Sequence, residues 1–473
     1  MGFRMLRIGG RYLIVLTMIL AVAGMDRVGE AVRSRLVCTA TAQAATLGGC
    51  WPLGGLVMGR DGALYGTSWA GGDTIRGGTV QAGTGRVFQL TPPARGNGIW
   101  TETVLHSFGD SGGAHPAAGL AMAADGALYG TTYASRDGEG SVFALSPRDG
   151  VWRAAQLYEF PSLPKNVPPK GLVADGAKPT AALTIGADGA LYGTTSAGGF
   201  LYPGRNGAGT AFTLTPGPSG WSETVIYRFK PRDASGRPTG DGGMPLAGLV
   251  ADASGALYGT TAAGGGDCDC GIVFALVPGN SGWTERILHV FRGGNDGARP
   301  MSSLVMDARG ALYGTTRFGG AANNGTVFAL TPTADGSYRE KILTSFAGDG
   351  DGDEPVGALL LDGSGALYGT TMKGGGSANC ADGCGTVFKL ANLGGVWTRT
   401  TLHSFRGIGA SPRSNDGAYP VGGLVADEAG MLYGVTANGG EGSAFITPDL
   451  AINCDSGEPG VPRGCGTVFS IDP

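Results

Sequence analysis

Charge is scarce in this chain and histidine nearly absent. Charged residues make up 15% of the 473, four residues are histidine, and the formal net charge is −4. Basic clusters are missing, which argues against nucleic acid or anionic lipid as a partner. After residue 50 no stretch carries helical periodicity of useful length, and no apolar run is long enough to span a bilayer. The body therefore reads as lacking a membrane span. No Cys-x2-Cys spacing occurs, so the usual zinc pattern is also missing. Glycine is what the chain has instead: 91 residues, beside 26 prolines. Disorder becomes a serious alternative at such levels. Yet apolar residues reach 42%, enough for a packed core. The glycines also recur at fixed phase, which unstructured sequence has no reason to do.

The first 23 residues look like an export signal. Arg4, Arg7 and Arg11 precede an apolar stretch, Tyr12 to Ala23, that ends in small residues. Cleavage after Ala23 or after Ala44 fits, and an uncleaved N-terminal anchor is the alternative. Residues 24–50 then form an N-terminal segment, and 51–473 the body. Without residues 1–44 the net charge is −8. The expected location is extracytoplasmic: secreted, periplasmic or at the cell surface.

Seven segments carry nearly the same words. Gly-Ala-Leu-Tyr-Gly-Thr occurs six times, with Gly-Met-Leu-Tyr-Gly-Val as a seventh copy at 430–435. Its tyrosines, Tyr65, Tyr129, Tyr192, Tyr258, Tyr313, Tyr368 and Tyr433, lie 64, 63, 66, 55, 55 and 65 residues apart. Such periods mean solenoids, propellers or arrays. Each period reads as four short strands: Gly-Leu-Val, Ala-Leu-Tyr-Gly-Thr-Thr, Gly-Thr-Val-Phe-x-Leu, and a stretch such as Trp100 to Phe108. Asp-Gly or Pro/Gly turns bound them. The expected fold is all-β, a seven-bladed β-propeller of four-stranded antiparallel blades. A β-helix is the structural alternative, but its coils need shorter periods. The Trp…Phe strand occurs only six times. The seventh blade therefore needs an outer strand from elsewhere, and the segment of about Ala31 to Gly48 is the expected supplier.

These words resemble the GloVer tandem-repeat proteins of bacteria, exported proteins that often carry one of several C-terminal anchoring signals (choice-of-anchor). The resemblance covers about residues 51–473. It implies a bacterial, extracytoplasmic repeat protein and supplies no catalytic residues to carry over. This chain departs from the pattern in showing no C-terminal anchor.

Eight cysteines fall into four local pairs. On an exported chain these read as disulfides: Cys380 with Cys384 and Cys454 with Cys465 first. Cys268 with Cys270 and Cys38 with Cys50 are further candidates. Gly109-Asp110-Ser111-Gly112-Gly113 imitates a protease nucleophile loop, but its register matches the Asp-Gly-Ala-x-Pro turn of other repeats. His106, His289 and His403 share one repeat position with Tyr158, Tyr227 and Thr344, which reads as a partly buried polar strand site. His115 reads as a lone turn residue. Asp349, Asp351 and Asp353 alternate along an acidic turn and form a weak calcium candidate, without the full EF-hand pattern. No other cofactor is expected.

Loops after strands two and four vary in length and hold the cysteine pairs, whereas those after strands one and three are short and constant. The variable loops converge on one end of the ring, where binding tends to be built. Repeat-breaking residues there are Trp69, Tyr133, Phe200, Tyr202, Arg205, Arg317, Phe318 and Lys373. The expected function is a monomeric, non-enzymatic binding module for an unknown extracytoplasmic ligand, a glycan or a protein. A polysaccharide hydrolase or lyase is the alternative, and a structural cell-envelope protein the third.

Overall fold

In a computed structural model of the chain, the structure describes residues 7–8, 11–12, 33–36, 51–71, 74–76, 79–81, 83–93, 100–109, 113–136, 138–165, 172–201, 206–233, 235–407, 416–439 and 466–473. Regular structure among them is β, apart from two single-turn 3-10 helices, Gly294–Asp296 and Asp349–Asp351. One compact unit comprises Val32–Pro473. Met1–Ala31 is a separate unit with a small hairpin, Arg7–Ile8 against Arg11–Tyr12.

Seven four-stranded antiparallel sheets build the larger unit, as the repeat count requires. Blade 4 is representative: Val250–Ala251, Leu257–Thr261, Ile272–Gly279 and Gly282–Val290 pair in chain order. Blade 7 consists of Val425–Ala426, Leu432–Thr436 and Thr467–Ile471, with Arg33–Leu36 as its outer strand. That last pairing is antiparallel, Arg33 opposite Ser470 and Leu36 opposite Thr467. The segment expected to close the ring does so.

Alternation along the third strand explains why blades stack. Val87 packs with Leu120, Leu128, Phe143 and Leu145 of blade 2, whereas Phe88 and Leu90 pack with Val435 and Val468 of blade 7. Side chains of successive strand residues point to opposite faces, so one Val-Phe-x-Leu word serves two neighbours. The described buried residues fall into seven such clusters, each shared by two adjacent blades. The cluster between blades 7 and 1 closes the circle. It also accounts for Val435, which stands where other repeats have threonine. Thr67, Thr131, Thr194, Thr260 and Thr370 donate their hydroxyls to backbone carbonyls of the next blade, while Val435 is buried among apolar side chains.

The two commonest words of the repeat dictate each other. Gly259 lies opposite Phe274, and a Cβ there would sit 2.7 Å from that ring's tip and 2.8 Å from Leu249. The other six blades repeat this approach. The glycine in Leu-Tyr-Gly-Thr is therefore the space that the third-strand phenylalanine fills.

Six junctions carry a further lock. The phenylalanine at the end of each fourth strand is buried edge-on against the third-strand phenylalanine of the next blade, as in Phe229 with Phe274 and Phe291 with Phe328. Fourth-strand tryptophans reach the other way: Trp100 meets Tyr433 of blade 7, and Trp283 meets Tyr192 of blade 3. Such ring pairs add about 0.5–1.5 kcal/mol each beyond simple burial. Tyr368 of blade 6 has Lys389 over its ring, at 5.1 Å. Its neighbour's outer strand, Arg33–Leu36, contains no tryptophan.

Candidate functional site

An x-Pro step leads into each blade. The x residues are Trp51, His115, Lys178, Met244, Arg299, Glu354 and Tyr419, one per blade. All seven hold positive φ, between 54° and 59°. In six of the seven both the N–H and the carbonyl are tied, and the Trp51 carbonyl is tied likewise. The His115 N–H donates to the Thr84 carbonyl of the preceding blade, and its own carbonyl accepts from Tyr133 N–H. The proline that follows lies against a glycine of that preceding blade. A Cβ on Gly85 would stand 2.5 Å from Pro116, and Gly466 meets Pro52 in the same way.

Positive φ is the glycine conformation, and an L-residue with a side chain pays roughly 1–2 kcal/mol to adopt it. Not one of the seven positions holds glycine, in a chain with 91 of them. All seven hold large side chains, and no two are alike. A uniform scaffold thus presents seven different groups around one end of the ring. A second circle adjoins it, formed by the residues that donate to these carbonyls: Trp69, Tyr133, Ser196, Ala262, Arg317, Met372 and Ala437.

The side chains sort into two arcs. In blades 1 and 2, Trp69 stacks on His115 at 4.8 Å and inclines against Tyr133 at 5.4 Å. The His115 Nδ1 lies 3.0 Å from the Trp69 carbonyl. Lys178 of blade 3 extends this arc, its Nζ 5.4 Å from the Tyr133 ring centre. In blades 5 and 6, buried Glu354 holds Arg317 at 2.7 Å and Lys373 at 3.2 Å, and Lys373 also reaches Asp382 at 3.0 Å. Burial opposes the charge on Lys373, but the Asp382 and Glu354 carboxylates overcome it and raise its pKa. Arg317 also covers Phe318, at 4.9 Å. Tyr419 of blade 7 is pushed above the usual phenol range by burial and by Asp382. Between the arcs, blade 4 offers Met244, an apolar side chain 46% exposed.

The sequence-predicted residues are therefore divided. Trp69 and Tyr133 come together in the first arc; Arg317, Phe318 and Lys373 come together in the second. Phe200 joins neither. It lies on a separate two-stranded sheet, Leu172–Ala177 against Ala197–Leu201, beneath Lys230 and in a pocket of about 470 Å3 that Tyr227 and Asp241 also line. Tyr202 and Arg205 fall outside the described residues. His115 is no lone turn residue but a ring of the aromatic arc, a correction to the sequence reading. The x-Pro slot was visible in every repeat; its backbone conformation was not.

Two disulfides stand at this end, Cys268–Cys270 and Cys380–Cys384. Their sulfurs pack on the turns after the fourth strands, near Gly293 and Gly407, and so brace two loops of one blade. Cys38, Cys50, Cys454 and Cys465 lie outside the described residues. Of the acidic turn, Asp351 is paired with Arg399 and accepts the Ala347 N–H, whereas Asp353 sits beside Glu354 and Lys373. The side chain of Asp349 is outside the described set, and no three metal-ligating side chains cluster among the described residues.

The shared polar strand position latches each fourth strand to the segment that follows it. His289 meets Asp296 at 3.1 Å and His403 meets Asp416 at 3.0 Å, while Tyr158 and Tyr227 donate to Asp175 and Asp241. Fourth-strand glutamates of the next blade adjoin it. Burial, with Asp175 nearby, raises Glu223 to about 7, and burial with Asp241 nearby raises Glu285 too. Oε1 of each is buried without a hydrogen-bond partner among the described residues. Both acids bind protons more tightly folded than unfolded. Their contribution is full below the ordinary value near 4.5 and is lost as pH rises through 7 and beyond. Discounted for solvent screening, the two amount to about 2–4 kcal/mol. Between about pH 5 and about pH 8 the melting temperature should therefore fall by roughly 3–6 °C. The double variant Glu223→Gln/Glu285→Gln should flatten that decline in a calorimetric pH series. An unchanged decline in the variant would contradict the assignment.

Likeness to known proteins is of two kinds. A protein of unspecified role from Lactobacillus plantarum shares 14% identity, with 82% of this chain and 95% of that one covered, at a TM-score of 0.47. A candidate oxidoreductase (glucose dehydrogenase) from Thermus thermophilus shares 16%, covering 75% and 95%, at 0.39. A protein of unknown function from Dyadobacter fermentans shares 13%, covering 74% and 93%, at 0.38. No protein of curated function matches. The family pattern described as the Gloeobacter/Verrucomicrobia repeat matches residues 39–268 and 245–446. With the repeated words, the seven blades and this match together, the chain belongs to the Gloeobacter/Verrucomicrobia repeat family.

Proposed function

We propose that this protein is an exported binding module whose ligand seats on the end of the ring that carries the x-Pro side chains. The observation behind the reading is the seven large, dissimilar residues at backbone positions where glycine would be free of strain. Structural need alone would favour glycine there, so the side chains are retained for what they touch. Export is part of the proposal. It rests on the arginines and apolar stretch before Ala23, together with disulfides in the body. No helix among the described residues is long and apolar enough to cross a membrane.

Purified protein, probed on a glycan and peptide array, tests the reading. Trp69→Ala and Arg317→Ala should each weaken whatever binds by about tenfold or more. Arg148→Ala, at the last residue of the third strand of blade 2 at the opposite end, should leave it unchanged. Binding that survives both arc variants would reject this face as the site.

A further inference from the structure

We infer that the ligand of this face is a polysaccharide bearing uronic acid residues, an inference that rests on the binding role proposed above. The aromatic arc supplies a partly exposed stack of rings, Trp69 lying on His115 and Tyr133 tilted against Trp69. Pyranose rings carry apolar C–H faces that lie on such surfaces, and their carboxylates project from the ring edge. A cation is placed to meet that edge. Lys178 stands one blade along, over Tyr133, and no carboxylate lies within 4.0 Å of its Nζ among the described residues.

The local charge has the required sign. Arg299, exposed in the x-Pro circle, likewise has no acidic partner among the described residues. In blades 5 and 6, by contrast, Arg317 is already matched by Glu354. The two circles together carry three cations, Lys178, Arg299 and Arg317, against the one carboxylate, a local +2 on a chain of net −4. One free cation beside the aromatic arc, with a second on blade 5 of the same circle, suits a chain that carries carboxylates at intervals. Two such cations are too few for the dense charge of nucleic acid, whose affinity comes mainly from many phosphate contacts.

The test is calorimetric titration of the full-length protein with oligogalacturonate, oligoalginate and hyaluronan fragments. Each is compared with the same oligomer after reduction of its carboxyl groups to alcohols. At least one uronate oligomer should bind, about tenfold or more tighter than its reduced form, with affinity falling as salt rises. Lys178→Met should remove most of that difference by weakening the native oligomer more than the reduced one, whereas Lys178→Arg should restore it. Trp69→Ala should weaken both oligomers. Equal binding of the native and reduced forms overturns the uronate inference, as does binding only to neutral glycan, acidic peptide or single-stranded nucleic acid. If such a ligand still responds to Trp69→Ala, the binding face stands and only the ligand class falls. If nothing that binds responds to Trp69→Ala or Arg317→Ala, both fall.

Discussion

Phe291→Ala should destabilise the protein by about 3–5 kcal/mol, the range for emptying a fully buried aromatic site. Phe291 is 1% exposed, directly follows the fourth strand of blade 4, and stands edge-on to Phe328 of blade 5 at 5.2 Å. It belongs to the cluster with Leu304, Leu312 and Leu330, so the cavity would open between two rigid sheets. Neither sheet can collapse into it without breaking register on its other side. Chemical denaturation should show the loss as a lower midpoint, and calorimetry as a melting temperature lower by several degrees. Val151→Ala, at an exposed position, is the control and should change neither. A loss below about 1 kcal/mol at Phe291 would contradict stacking as the source of cohesion.

Removing the outer strand of blade 7 should have the second large effect. Four residue pairs join Arg33–Leu36 to Thr467–Ile471. At about 0.5–1.5 kcal/mol per hydrogen bond, a ladder of about four bonds contributes about 2–6 kcal/mol. Trimming through residue 37 should also leave a bare strand edge, which invites pairing between molecules. Trimming through residue 31 removes only the separate N-terminal unit. The first truncation should melt several degrees lower and show association in light scattering; the second should do neither. Identical behaviour of the two would end the closure argument. The same pairing separates the two candidate export cuts, because cleavage after Ala44 would discard the closing strand and cleavage after Ala23 would retain it. With export as proposed, N-terminal sequencing of the mature chain should find the earlier cut.

Much of the scaffold was legible from the chain. Six Trp…Phe strands against seven tyrosine words already implied a missing outer strand, since an unpaired edge is costly. The Gly and Phe of neighbouring words were seen as repeats, and their mutual fit is a matter of packing. Which way the histidine and tyrosine of the fourth strand turn was also readable as partly buried. Their aspartate partners were not, because these lie 7 to 17 residues farther on, beyond turns of unequal length.

The proposed binding face was harder to read. Trp69, Tyr133, Arg317, Phe318 and Lys373 broke the repeat and so drew notice, yet Phe200 broke it equally and lies elsewhere. His115 was passed over because a residue before proline in a turn has no distinguishing mark in sequence. Periodic words, hydrophobic alternation and the count of strands are local properties, and the amino-acid sequence by itself determined the propeller, its seven blades and the source of its closing strand. Which variable side chains meet was decided only by the tertiary structure. Wrapping seven repeats into a circle sets residues about 60 positions apart in contact, and it alone imposes the positive φ that makes seven ordinary residues conspicuous.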